Sequence, residues 1–377
     1  MKRITCLLIL IVMLISVSCS NKNNAVVRDD TDNGGIAGNA ETSNDDITII
    51  ENERYKIKED IPVSDFGGYE FRILTRDSDH HLKEVLAETE NGETINDAVY
   101  YRNRAIEEKL NINIKIITTP EVTEAELITF FTASVMANDD TFDLALPHTV
   151  NAGIAATHGI MYDWRSVPYI DFKKPWWNDV IVNELTVNGK LFLAISDFCI
   201  SAIDYTWVML YNYQMGADYE VPNLYDIIKT GNWTIDKFHG YVKNVSADID
   251  GDGIFDYKDL YGFTTHYNSA IQNWMFALDQ KVTKMNADGY PELIINNEKM
   301  VSIVEKLYDI LYNGNNTLIV NETVTKAYNV DLHDKAVAKK FEAEETMFAA
   351  IRTLYIDLLR NMRSEYGIIP FPKYDAD

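Results

Sequence analysis

Cysteine is nearly absent from this 377-residue chain: only Cys6, Cys19 and Cys199 occur. The first lies inside an N-terminal leader and the second at its end, so no intramolecular disulfide framework can hold the mature fold together. Cys199, between Phe198 and Ile200, reads as a small buried hydrophobe rather than a nucleophile. Basic residues are also short. Against 58 Asp and Glu stand 34 Lys and Arg, and a net charge of −24 repels phosphate backbones and excludes nucleic acid as a partner. The seven histidines are scattered, and the pair His80 and His81 reads as loop surface. The sequence contains no G-x-S-x-G elbow, H-E-x-x-H helix, P-loop or paired-cysteine zinc pattern, and Gly34, Gly35 and Gly38 follow no strand. No enzyme class is indicated. The two carboxylates of a glycosidase converge only in space, however, so that reading stays open.

The one long apolar run is Ile4 to Val17, preceded by Lys2 and Arg3. It is too short for a comfortable membrane span and has the layout of a secretory signal. Ser16, Val17 and Ser18 before Cys19 resemble the bacterial lipobox, with Ser16 standing where a branched aliphatic is usual. That resemblance implies acylation of Cys19 and a lipid anchor on the outer, extracytoplasmic face of the cell membrane. Residues 1–19 are then the lipoprotein signal peptide. Residues 20–63 form a flexible tether, since Asn21 to Asp46 is too poor in large apolar side chains to bury a core. About three hundred residues remain, enough for two lobes.

The apolar pattern predicts an α/β chain. Tyr69, Phe71 and Ile73 alternate in "YEFRILTR"; Asn96 caps a helix through Leu110 that Asn111 closes; Ile112, Ile114 and Ile116 alternate again. Strand, helix, strand at this spacing implies parallel pairing. A helix over Leu127 to Met136 and a strand at Phe142 to Leu146 repeat the unit. Beyond the Trp- and Pro-rich stretch "MYDWRSVPYIDFKKPWWND", strands are expected at "GKLFLAISD" and "YTWVMLYN". A helix capped by Thr234 then presents Ile235, Phe238, Tyr241, Val242 and Val245 on one face. Further helices are expected over Glu298–Tyr312 and Asp334–Ala350, and a strand at "YGIIPFP".

Between them lies "DIDGDGIFDYKD". Counting Asp248 as position one puts carboxylates at 1, 3, 5, 9 and 12 (Asp248, Asp250, Asp252, Asp256, Asp259), glycine at 6 (Gly253) and a backbone carbonyl at 7 (Ile254). This is the spacing of a calcium loop, and hard oxygen ligands in this number suit Ca2+ rather than zinc. Position 12 is one methylene shorter than the usual glutamate, and "LYGFTTHY" after it is strand-like, so the loop is expected to bind structural Ca2+ without switching.

Several stretches in their order of appearance resemble the extracellular solute-binding lipoproteins of ABC importers, carbohydrate-type and related to maltose-binding protein. They are "GYEFRIL", "TINDAVYYRNRAIEEKLNINI", "IDFKKPWWND", "NGKLFLAISD", "NLYDIIKTGNWTIDKF", "DIDGDGIFDYKDLYGF" and "YGIIPFPKYD". The resemblance implies a two-lobed, periplasmic-binding-protein-like (type II) clamp with hinge strands. Lobe 1 is then expected from 66–195 and 344–377, and lobe 2 from 196–343. Family members continue past a "PKYD" segment, so the chain reads as truncated at its C-terminus. The resemblance further implies capture of a sugar by a monomer and delivery to ABC permease subunits, without catalysis. By position the ligand-binding candidates are Asp77, Asp79, Trp177, Asp204, Tyr205, Trp207 and Trp274, since sugars stack apolar C–H faces on aromatic rings while carboxylates take their hydroxyl protons. The alternative is a secreted glycan-degrading lipoprotein.

Overall fold

A computed structural model describes residues 56–119 and 124–376. The signal peptide, Cys19 and the tether up to residue 55 lie outside the described residues. Two compact units divide the chain, the first ending at Ser201 and the second beginning at Ala202.

The first unit is built on three parallel strands in the order β2-β1-β3: β1 (Tyr69–Arg76), β2 (Ile112–Thr119) and β3 (Leu144–Ala145). Helices Thr94–Leu110 and Glu124–Ala137 provide the two crossovers, as the strand–helix–strand spacing predicts. Both faces of the sheet are covered. Phe71 and Ile73 pack with Ile106, Leu110 and Ile112, while Leu74 packs with Leu127, Phe131 and Ala155 on the other side. The first crossover helix starts two residues before Asn96; its cap is Glu93, whose carboxylate accepts the Asn96 N–H at 2.7 Å. Asn111 does close it, at φ 49°, in the left-handed region that asparagine tolerates. Asp143, buried at the start of β3, fixes the sheet's edge: its carboxylate accepts from the Tyr69 hydroxyl (2.8 Å) and from Arg72 through N (2.8 Å), Nε (3.1 Å) and Nη2 (3.0 Å).

The end of the expected tether is docked. Lys174 bridges Asp60 at 2.9 Å and donates to the Lys58 carbonyl, Glu59 pairs with Lys109, and Ile61 packs against Trp164 and Val167. "GKLFLAISD" forms only a small hairpin, β4 (Thr186–Val187) with β5 (Lys190–Leu191).

The second unit contains a sheet in the order β11-β8-β12-β6-β13. Its strands are β6 (Trp207–Asn212), β8 (Leu260–His266), β11 (Thr317–Val320), β12 (Thr346–Arg352) and β13 (Tyr366–Ile369), with β7 (Ser246–Ala247) flanking β8. A separate hairpin joins β9 (Thr283–Met285) to β10 (Pro291–Leu293). β8, β11 and β12 are parallel, and β6 runs against β12 and β13. Phe238, Phe263, Trp274, Ile303 and Phe348 fill one side of the sheet; Leu210, Val337, Phe341, Ala349 and Ile351 fill the other. Helix Ile235–Val242 lies so close to β8 that a Cβ on Gly262 would sit 2.5 Å from the Val242 carbonyl oxygen.

Three expectations fail here. The helix predicted over Asp334–Ala350 is a helix only at His333–Glu342, and Thr346–Arg352 is the central strand β12. A strand covered on both faces is apolar without alternation, so periodicity alone does not separate it from a buried helix. The return of 344–377 to the first lobe, which the resemblance implies, is not found either: these residues lie in the second unit. β12 and β13 flank β6, and the terminal segment is stitched to the second unit by Ile235 N to the Lys373 carbonyl (2.9 Å) and Trp233 Nε1 to the Pro370 carbonyl (2.9 Å). The boundary also falls at 201 rather than 195. No helix among the described residues is long and apolar enough to cross a membrane.

Candidate functional site

In open α/β sheets ligands are held at the carboxyl ends of the parallel strands, where side chains project beyond the backbone ladder. In the second unit that edge comprises His266 at the end of β8, Val320 at the end of β11, Arg352 at the end of β12 and, because β6 is antiparallel, Trp207 at its start.

A polar network surrounded by aromatic rings occupies this edge. Asp334, in the first turn of helix His333–Glu342, is 3% exposed and takes a two-pronged hydrogen bond from Arg352, Nε to Oδ1 at 3.1 Å and Nη2 to Oδ2 at 2.7 Å. The fork matches a planar guanidinium to a carboxylate, and the helix N-terminus adds favourable field to the anion. Burial opposes the charge on Arg352, but its hydrogen bonds to Asp334 and the Asp334 charge more than offset that, so its pKa is raised. The Arg352 Cζ stands 4.9 Å from the Tyr205 ring centre, 5.2 Å from Tyr355 and 5.8 Å from Trp207.

His266 completes the cluster. It is 2% exposed, its ring lies 5.3 Å from Trp207 and 5.8 Å from His333, and its Nε2 is 3.6 Å from Asp334 Oδ2. Burial pushes its pKa down to about 4, against the upward pull of Asp334. It is therefore neutral near pH 7. His333 is held by Thr325, Oγ1 to Nδ1 at 2.7 Å, and exposed Tyr267 packs on its ring at 5.2 Å. The cluster presents the Tyr205 and Trp207 rings and the Arg352 guanidinium at the strand ends, while both oxygens of the buried Asp334 carboxylate are committed to the Arg352 fork.

Of the sequence candidates, Tyr205 and Trp207 fall in this cluster, and Asp204 is beside it through its carbonyl, which accepts from Thr353 Oγ1 at 3.0 Å. Trp274 does not join them. It is fully buried against Phe238, Phe263 and Phe371, so its ring is core. In the first unit Trp177 is likewise buried, packed on Phe172 and Trp164. Asp77 and Asp79 are exposed, beyond the carboxyl end of β1. Sequence reasoning missed His266, Tyr267, His333, Asp334, Arg352 and Tyr355. The available signal was a polar residue ending an apolar strand, "TTHY" and "AAIR", but it depends on β12 being recognised as a strand.

The acidic loop folds into a tight turn before β8. One carboxylate oxygen each of Asp248, Asp250 and Asp252 lies within 4.8 Å of the others. Asp248 accepts from the Gly251 and Gly253 amides at 2.6 and 2.8 Å, and both glycines adopt left-handed φ values of 75° and 79°. Asp259, fully buried, is not in that group; its oxygens accept from the Ile249 and Asp256 amides at 3.0 and 2.8 Å and staple the loop's ends together. Asp256 accepts from the Lys258 amide, and the Lys258 ammonium sits 3.2 Å from Asp250 and 3.9 Å from Asp256. The three converging oxygens and the left-handed turns fit a hard cation.

No family model matches the sequence, and no match is found among curated proteins. Solved structures do match. A cyclo/maltodextrin-binding protein complexed with maltotetraose superposes with TM-score 0.53 at 15% identity, covering 82% of this chain and 66% of that one. An ABC transporter solute-binding protein from Agrobacterium radiobacter K84, in complex with ribitol, gives 0.46 at 12% identity (82% and 68%). An ABC substrate-binding protein from Listeria monocytogenes, in complex with cycloalternan, gives 0.44 at 11% (81% and 66%). This chain thus spans just under two thirds of the first relative's length. Its fold is the α/β, periplasmic-binding-protein-like one.

Proposed function

We propose that the protein is the substrate-binding lipoprotein of an ABC transporter, anchored through Cys19, which captures a sugar or oligosaccharide outside the cell and hands it unchanged to a membrane permease. The observation carrying this reading is the aromatic and charged cluster at the carboxyl edge of the second sheet, on a fold shared with a maltotetraose-bound protein. Trp207 and Tyr205 supply ring faces, and Arg352 donates from its outer edge. Asp77 and Asp79 beyond β1, with Asp204 beside the cluster, remain candidates for hydroxyl contacts. No observation favours the glycan-degrading alternative. Calorimetry against maltotetraose, ribitol and cycloalternan tests the proposal. At least one is expected to bind, and Trp207→Ala is expected to weaken it about tenfold, the loss of roughly 1.4 kcal/mol of stacking. If none of a wider glycan panel releases heat while a peptide does, the ligand class is wrong.

The same proposal assigns Ca2+ to loop 248–259. Asp248, Asp250 and Asp252 would be its ligands, with the Ile254 carbonyl and Asp256, while Asp259 acts chiefly as the loop's staple. Calcium at about a hundredfold its dissociation constant is expected to add roughly 2.7 kcal/mol to stability. Chelator and calcium melts should differ for the native chain and coincide for Asp250→Asn. Coincident melts of the native chain would remove calcium from the account.

A further inference from the structure

Two histidines meet at the carboxyl edge of the second sheet, and their hydrogen bonds fix which ring nitrogen of each carries the proton. For His333 the deciding neighbour is Thr325. Its Oγ1 lies 2.8 Å from the Asn321 carbonyl oxygen and 2.7 Å from His333 Nδ1. A carbonyl only accepts and a hydroxyl has one hydrogen, so both contacts are hydrogen bonds only when Nδ1–H donates to Oγ1 and Oγ1–H donates to the carbonyl. Were the hydroxyl to donate to Nδ1 instead, two acceptor oxygens would face each other at 2.8 Å in a residue that is 5% exposed. Neutral His333 therefore keeps Nε2 unprotonated. His266 has the opposite tautomer. The Asn268 backbone N–H can only donate, and it donates to His266 Nδ1 at 3.3 Å, which leaves the proton of the neutral ring on Nε2.

The two rings consequently play different parts. His266 is buried and faces Asp334 Oδ2 with Nε2 at 3.6 Å. His333 is half-buried, its ring lies 5.2 Å from exposed Tyr267, and its Nε2 has no partner among the described residues. Other polar groups of the edge are spent or are donors. Both Asp334 oxygens are taken by the Arg352 fork, Arg352 itself only donates, and the Tyr267 hydroxyl donates to Glu322 Oε1. A sugar hydroxyl is donor and acceptor at once, and a site that meets it with donors alone leaves its hydrogen unpaired. We propose that His333 is a specificity-determining residue of the sugar site, accepting at Nε2 the hydrogen of one hydroxyl of the guest. The inference rests on the proposed function for the nature of that guest. It makes the site selective, because a methyl ether or a deoxy carbon at the same position has no hydrogen to give.

The test is nitrogen-15 NMR of the full chain labelled at histidine, at about pH 8, where an imidazole of ordinary pKa is neutral. Two-bond proton–nitrogen correlations show which ring nitrogen is protonated, and the His333 signals are identified by their loss in His333→Gln. His333 is expected as the Nδ1–H tautomer and His266 as the Nε2–H one. Whichever of maltotetraose, ribitol and cycloalternan binds by calorimetry is then added. The His333 Nε2 signal is expected to move upfield, as an accepting nitrogen does, with the tautomer unchanged. His333→Gln keeps an acceptor near the place of Nε2 and is expected to bind that ligand within about threefold of the parent, whereas His333→Leu, which has none, is expected to bind it about tenfold more weakly. Three results would each overturn the role of His333 alone: an Nε2–H tautomer in the ligand-free protein, a bound glycan that leaves the His333 nitrogens unmoved, or an affinity of His333→Leu equal to the parent's. Binding of no glycan at all would overturn the proposed function, and this role with it. The tautomer and the shift are read on the native chain, so they decide the matter even where His333→Leu fails to fold.

Discussion

Replacing Arg352 with alanine is expected to cost the second unit about 3 kcal/mol or more, because it strands a buried carboxylate. Asp334 is 3% exposed and its two oxygens take the guanidinium's fork at 3.1 and 2.7 Å. Without Arg352, His266 faces Asp334 from 3.6 Å but is neutral, and it would have to gain a proton to compensate. Removing both charges at once tells a different story. An Arg352→Met, Asp334→Leu pair leaves no uncompensated ion and is expected to be much closer to the parent in stability than Arg352→Ala is. Urea unfolding of the three proteins at pH 7 measures this. A loss under about 1 kcal/mol for Arg352→Ala would show that water reaches Asp334 freely and that the pair is a surface ornament. The effect on ligand binding would follow the same geometry, since the fork also fixes the guanidinium under Tyr205 and Tyr355.

Acid is expected to destabilise the same place through His266. In the unfolded chain its imidazole titrates near the ordinary 6.5, and in the folded protein burial lowers this to about 4. Between those values the unfolded state binds more protons, so the contribution is complete above about 6.5 and is lost progressively as the pH falls through about 4. Over the whole interval it amounts to roughly 3 kcal/mol. The groups that set it face the ring from three elements: Asp334 and His333 from one helix, Arg352 from β12, and the Trp207 ring from β6. Carboxylates elsewhere also titrate in this range, so the comparison that isolates the effect is with His266→Gln. The parent should lose stability more steeply than the variant between pH 6.5 and 4.5. Parallel slopes in the two proteins would mean that His266 is hydrated when folded.

The two clusters differ in how legible they were. The acidic loop was readable because its donors lie within twelve consecutive residues and its glycine positions are dictated by local turns; Gly251 and Gly253 do take left-handed φ. Even there the role of Asp259 was not, since only burial shows that its oxygens are committed to the Ile249 and Asp256 amides. The edge cluster draws on residues 205 to 355, which no spacing rule connects. Tyr205 and Trp207 were reachable because they flank a strand that reads clearly as one. Arg352 and Asp334 are not, because a single helix expected over Asp334–Ala350 takes in most of β12 and hides that Arg352 ends a strand.

What the sequence determined by itself is the local order: an α/β chain, parallel pairing of β1 and β2, the caps at Asn111 and Thr234, and the turn chemistry of loop 248–259. These follow from period, propensity and hydrogen bonding between residues a few positions apart. The tertiary structure alone decided that 346–352 is the middle strand of the second sheet, that 344–377 belongs to that unit, and that Trp274 is core while Trp207 stands at the strand ends. An apolar run and a tryptophan look the same in a sequence whether they face core or edge, and only the elements packed around them settle the difference.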